Sequence, residues 1–178
     1  MSSILQTFLL DETPNTHGRY RLALLATSDT SFGKNFDAVC WLLPSDLPSN
    51  PELDKELAAL LKTNAPQART IRSNCLAHAK RYFLLWGFQL KLETKSVSKH
   101  PQLWGIKSPH WLDPKNSQNH HFVWMTRLLH TLILTQHYEL ARAFRDFLRT
   151  LANEYPEVTC KESEKWFVLI YGNDDYPS

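Results

Sequence analysis

Apolar residues recur along this chain mainly at helical spacing, and that pattern predicts most of its elements. The clearest segment runs from Pro66 to about Gly87, with Ala68, Ile71, Cys75, Ala79, Tyr82 or Phe83, and Trp86 on one stripe. Arg69, Arg72, Lys80 and Arg81 fall mainly outside that stripe and read as a solvated face. Two further helices are predicted at Asn119 to Leu134 and His137 to Ala152. Phe122, Met125, Leu129, Leu132 and Ile133 are the apolar positions of the first; Leu140, Ala141, Phe144, Phe147, Leu148 and Leu151 are those of the second. Only Thr135-Gln136 separates them, so they must pack as antiparallel neighbours.

The N-terminal half is more broken. An apolar arm (Ile4, Leu5, Phe8, Leu9, Leu10) leads into the turn residues Thr13-Pro14-Asn15, and a short helix follows over Tyr20 to Ala26, stopping near Ser28-Asp29. Phe36 to Leu43 is an apolar run whose length allows a strand or a buried helical turn. Pro44, Pro48 and Pro51 impose a loop. Asn50-Pro51-Glu52 then supplies a capping side chain, a first-turn proline and an acid for a helix to about Lys62.

Residues 88–119 show the least periodicity and carry Pro101, Pro109 and Pro114 together with Trp104 and Trp111. They are expected to form a long loop, with Leu90 to Val97 either a short strand or a mobile strip. Trp166 to Tyr171 is expected to dock the C-terminus. The expected fold is all-α, one domain over 1–178, with about six or seven helices and an extended Trp-bearing loop.

Composition adds limits. The 178 residues are 43% apolar and 21% charged, which is ordinary globular usage, and the formal charge of +2 is too mild for a nucleic-acid footprint. Cys40, Cys75 and Cys160 are far apart and form no CxxC pair, so they read as reduced thiols in a cytoplasmic protein. No apolar run is long enough to span a membrane, and MSSILQTFLLDE lacks the basic start of a signal peptide. His130 and His137 are seven apart, too wide to chelate one metal from a helix face, and no Gly-rich phosphate loop or GxSxG elbow occurs. Neither a metal nor a cofactor is expected.

The candidate chemistry lies in three places. His120, His121, Thr126 and Arg127 open a predicted helix, where amide ends and a guanidinium can hold an anion. Equally, His120 can cap the helix while Arg127 pairs with Asp37 or Glu139. Asp37 beside Trp41 can face a pocket roofed by indole, or cap an apolar run of which Trp41 is core. Trp104 and Trp111 can form a binding surface, or fasten the loop to the body of the protein. Cys75, near His78 on one helix face, is a nucleophile candidate or a small buried thiol.

Several of these residues carry a family resemblance. Asp37-Ala38-Val39-Cys40-Trp41-Leu42-Leu43-Pro44 resembles the DYIQWLFP signature of the opioid growth factor receptor conserved domain. His120-His121-Phe122-Val123-Trp124-Met125-Thr126-Arg127-Leu128-Leu129 resembles its HNNLRITRIL stretch, and Tyr82 to Phe88 its FYG-ended helix. The likeness extends from Phe8 to Phe167. Phe36, Cys40 and Trp124 stand where that family has His, Gln and Arg, so a site lined by those polar residues would be incomplete here. The resemblance implies a peptide-binding domain, since vertebrate members are described as receptors for an enkephalin. The expected function is therefore a non-enzymatic module for a peptide or protein. Its expected site combines Asp37, Trp41, Trp104, Trp111, His120, His121 and Arg127. The alternative is an enzyme of unknown reaction, with His120 or His121 moving a proton and Arg127 holding an anionic substrate.

Overall fold

The computed structural model describes residues 4–45, 55–113 and 120–158. The longest helix, α6 (Pro66–Trp86), begins on a proline, whose fixed φ suits the first turn, and ends on Gly87 in the left-handed conformation at φ 78°. Its buried stripe is the predicted one, widened by His78 and Leu85. The predicted helix pair is present as α8 (His120–Leu134) and α9 (Tyr138–Glu154), with Gln136 at φ 62° making the reversal.

α8 is the more enclosed of the pair: every residue from Trp124 to Leu129 is buried, so neighbours cover it on more than one side. α9 is amphipathic and buries Leu140, Phe144, Leu148 and Leu151 at three- and four-residue steps. Phe144 meets Phe83 edge-on at 4.8 Å, which joins α9 to α6.

The N-terminal arm is a helix, α1 (Ile4–Leu9), followed by α2 (Arg21–Leu25). α2 ends before Ser28-Asp29, as read from sequence, and the same pair also starts a new helix. Ser28 accepts from the Ser31 amide and opens the one-turn α3 (Asp29–Phe32). The run that allowed strand or helix is α4 (Phe36–Leu42), with Asn35 accepting from the Ala38 amide at 3.0 Å. α5 (Lys55–Leu61) follows, while the Asn50-Pro51 cap lies outside the described residues. So does the Trp166 to Tyr171 stretch.

Of the expected 88–119 loop, residues 88–113 are described, and the strand alternative for Leu90 to Val97 is the one found. Phe88–Lys91 (β1) and Ser96–Lys99 (β2) form an antiparallel hairpin with Phe88 opposite Lys99, and Lys95 takes the turn at φ 47°. A one-turn helix, α7 (Trp104–Lys107), and a 3-10 turn, Ser108–His110, follow it. Pro109 is accommodated because it sits in the first turn of that 3-10 helix. The described residues thus hold nine α-helices and one two-stranded sheet, rather than six or seven helices and a loop. The protein is mostly helical, and the added helices α3 and α7 are single turns too short to leave a periodic signal.

Candidate functional site

Two of the three stretches quoted for the resemblance meet, at Leu43 and Arg127. Arg127, only 4% exposed, donates its Nε hydrogen to the Leu43 carbonyl at 2.8 Å. One turn further along α8, Thr131 donates to the Pro44 carbonyl at 2.9 Å. The last carbonyls of a helix have no partner within it, so α8 supplies donors for the chain leaving α4. Burial lowers the Arg127 pKa from its ordinary value, while Cys40 and Tyr82, both within its electrostatic reach, act in the other direction. Tyr82 is fully buried between Phe32 and Trp86, and its hydroxyl has no hydrogen-bond partner among the described residues.

His120 and His121 sit at the start of α8 with Trp124 beneath them, the rings of His120 and Trp124 being 4.5 Å apart. His120 Nε2 donates to the Gly33 carbonyl at 3.1 Å, which ties α8 to the α3–α4 junction. His121 Nδ1 accepts from the Trp86 indole at 3.2 Å, so that nitrogen carries no proton and the ring is neutral. Burial, followed by the neighbouring His120 and His110, pushes the His121 pKa down to about 3.

The remaining predicted site residues are spread out. Asp37 belongs to α4, but its side chain lies outside what is described. Trp41 is buried and meets Phe8 edge-on at 5.2 Å. Trp111 is 1% exposed; its indole donates to the Trp86 carbonyl at 3.0 Å, and its ring meets Phe122 of α8 at 6.1 Å. Trp104 is half-buried between Phe88 and Tyr155, with the Lys99 ammonium 4.9 Å from its ring centre. Both tryptophans fasten the 104–111 segment to the core. The structure therefore brings α4, α8 and Trp111 together around the second half of α6, with the Trp104 ring 5.7 Å from that of Trp111 and Trp41 turned to Phe8 of α1.

Sequence reasoning missed a buried polar relay that begins at the last residue of α4. His78, fully buried, places Nδ1 2.6 Å from the Leu42 carbonyl; a carbonyl only accepts, so Nδ1 carries the proton. Nε2 then accepts from Arg21 at 3.2 Å, and Arg21 also pairs through its Nε with Asp11 at 2.9 Å. Burial pushes the His78 pKa down to about 3. Arg21 and His78 are 57 positions apart, and no local spacing could have linked them. The arginines read as a solvated face are also engaged. Arg72 donates to the Leu61 carbonyl at 2.9 Å, and Arg81 to the Thr27 carbonyl at 3.0 Å and to Asp29. Cys75 is buried, and burial raises its thiol pKa to about 12, which keeps it protonated and inert as a nucleophile.

Among the described residues no group of three or more His, Cys, Asp or Glu is placed to hold a metal ion, and no helix is long and apolar enough to cross a membrane. A cleft of about 700 Å³ opens beside the α3–α4 junction, rimmed by His17, Arg19 and Lys34. A smaller one of about 380 Å³ lies between α6 and β1, floored by Phe83, Leu84 and Phe88. In comparisons with family models, characterised proteins and solved structures, nothing matches this chain.

Proposed function

We propose that this chain is a binding or interaction module for a peptide or protein, as its resemblance to the opioid growth factor receptor conserved domain implies, and not a catalyst. The observation that carries the reading is the engagement of the groups an enzyme would need. Arg127 is buried and directed at the Leu43 carbonyl, where it fixes backbone. His121 has a pKa of about 3 and an indole donor on Nδ1, so it takes up no proton near neutral pH. His120 is turned to the Gly33 carbonyl. The contact between the end of α4 and the middle of α8 is likewise structural, with Arg127 and Thr131 bonded to the Leu43 and Pro44 carbonyls.

A thermal-shift screen of the full chain against peptide pools, enkephalins, nucleotides, common metabolites, metals and short DNA tests this reading. A ligand at 100 times its Kd adds ~2.7 kcal/mol of stability. In a domain of this size that is roughly 5–10 °C in melting temperature. The expected hits are peptides. Stabilisation by small metabolites alone, abolished by His120→Ala, would favour the enzyme reading instead.

A further inference from the structure

The cleft beside the α3–α4 junction is built from two segments. One is the turn at 15–19, where Gly18 at φ 73° reverses the chain and Asn15 organises the backbone. Asn15 Oδ1 accepts from the amides of both His17 and Arg19, at 3.0 and 2.9 Å. The other is the junction itself, held by His120 at the Gly33 carbonyl and by the Asn35 cap on Ala38. His17 and Arg19 come from the turn and Lys34 from the junction, with Leu24 and Ala38 as apolar floor.

Two properties fix the kind of group this cleft takes. First, its rim is cationic. No acidic residue lines it among the described residues, and neither Arg19 nor Lys34 has a carboxylate partner among them. Second, two amide side chains line it. Asn15 is 5% exposed and Asn35 is half-buried, and both accept backbone N–H groups through Oδ1. Each amide also carries an –NH2 group able to donate to an acceptor. Cations and donors together call for an acceptor-rich anion.

A nucleic-acid backbone fits poorly, since a net charge of +2 and three basic groups in one cleft do not make an extended footprint. A volume of about 700 Å³ suits a few side chains of a peptide. We propose that this cleft binds an acidic, carboxylate-bearing segment of a peptide or protein partner. The inference rests on the binding-module reading and names the chemistry of the partner.

The test is fluorescence anisotropy of a fluorescein-labelled heptaglutamate peptide titrated with the full chain. The expected result is saturable binding that Arg19→Glu with Lys34→Glu weakens by about tenfold or more. Lys91→Glu with Arg142→Glu makes the same change of charge on exposed positions elsewhere and should leave affinity nearly unchanged. Thermal melts of both double variants check that the fold persists, and Arg19→Gln with Lys34→Gln gives a milder second series. Absence of saturable binding, or equal loss in both charge-reversal variants, overturns the proposal. So does tighter binding of an oligothymidylate of equal length through Arg19 and Lys34, which would make the ligand a phosphate chain. If heptaglutamate fails while a peptide hit from the screen survives Arg19→Glu with Lys34→Glu, the module reading stands and only this assignment falls.

Discussion

His78 shows how much a single buried side chain does in this protein. Its two ring nitrogens join the end of α4, through Leu42, to Arg21 of α2, and they do so only while the ring is neutral. The same holds for His121, whose Nδ1 must stay unprotonated to receive the Trp86 indole. Both have folded pKa values of about 3 against 6.5 in the unfolded chain. Below pH 6.5 the unfolded state therefore binds more protons than the folded one, so stability is fully present above that pH and falls as pH drops towards 3. These two groups, with His137 also held low by burial, predict a loss of roughly 2–4 kcal/mol per pH unit between roughly pH 6 and 5, before most carboxylates titrate. Urea denaturation at a series of pH values measures it. His78→Leu should reduce that slope by roughly a third to a half and, by stranding the Arg21 donor and the Leu42 carbonyl, cost roughly 2–4 kcal/mol near neutral pH. An unchanged slope in the variant would refute the role given to the ring.

Helix boundaries supply the sharpest test among the elements. Gly87 and Gly18 share nearly the same left-handed φ, 78° and 73°, yet their surroundings differ. A methyl group at Gly87 would sit 3.1 Å from the Leu103 carbonyl oxygen and 3.1 Å from the Trp104 Cα, where α6 ends against α7; at Gly18 it meets nothing. Gly18→Ala should thus cost about 1 kcal/mol, the conformational penalty alone, whereas Gly87→Ala should cost several times more because backbone must move. Equal losses in melting temperature would contradict this packing of α7 on α6. The comparison also shows why some elements were legible in sequence and others were not. α6, α8 and α9 are long enough for period and caps to reinforce each other, and their predicted bounds hold within about two residues. The hairpin and the single turns α3 and α7 are set by tertiary contacts, among them Phe88 at 5.5 Å from Trp111 and Lys107 paired with Asp29, which no local pattern encodes.

Across the whole molecule, four of the seven residues chosen from sequence as a site lie along the seam where α4, α6 and α8 meet. Arg127, His120, His121 and Trp111 were recognisable because polar and aromatic groups on apolar helices need partners, but sequence offered a ligand, or for Arg127 the carboxylates of Asp37 and Glu139, and not the backbone carbonyl it meets. The structure gives each of them a bond to backbone or to another buried ring. The cleft rimmed by His17, Arg19 and Lys34 escaped notice for the opposite reason, since three exposed basic residues in two separate loops look like ordinary surface until the fold joins them. Binding there should weaken as salt rises, because exposed charges are screened beyond about 8 Å at physiological ionic strength. Heptaglutamate affinity measured at low and high salt gives that dependence. A salt-independent affinity would place the peptide elsewhere.

Binding of a partner without changing it, as proposed for this protein, is tested most directly by mass spectrometry of a stabilising peptide after long incubation with a substoichiometric amount of the full chain. All of the peptide should return with its original mass and still raise the melting temperature of fresh protein. Conversion of the peptide over many turnovers, lost in His120→Ala or His121→Ala with the fold retained, would contradict it.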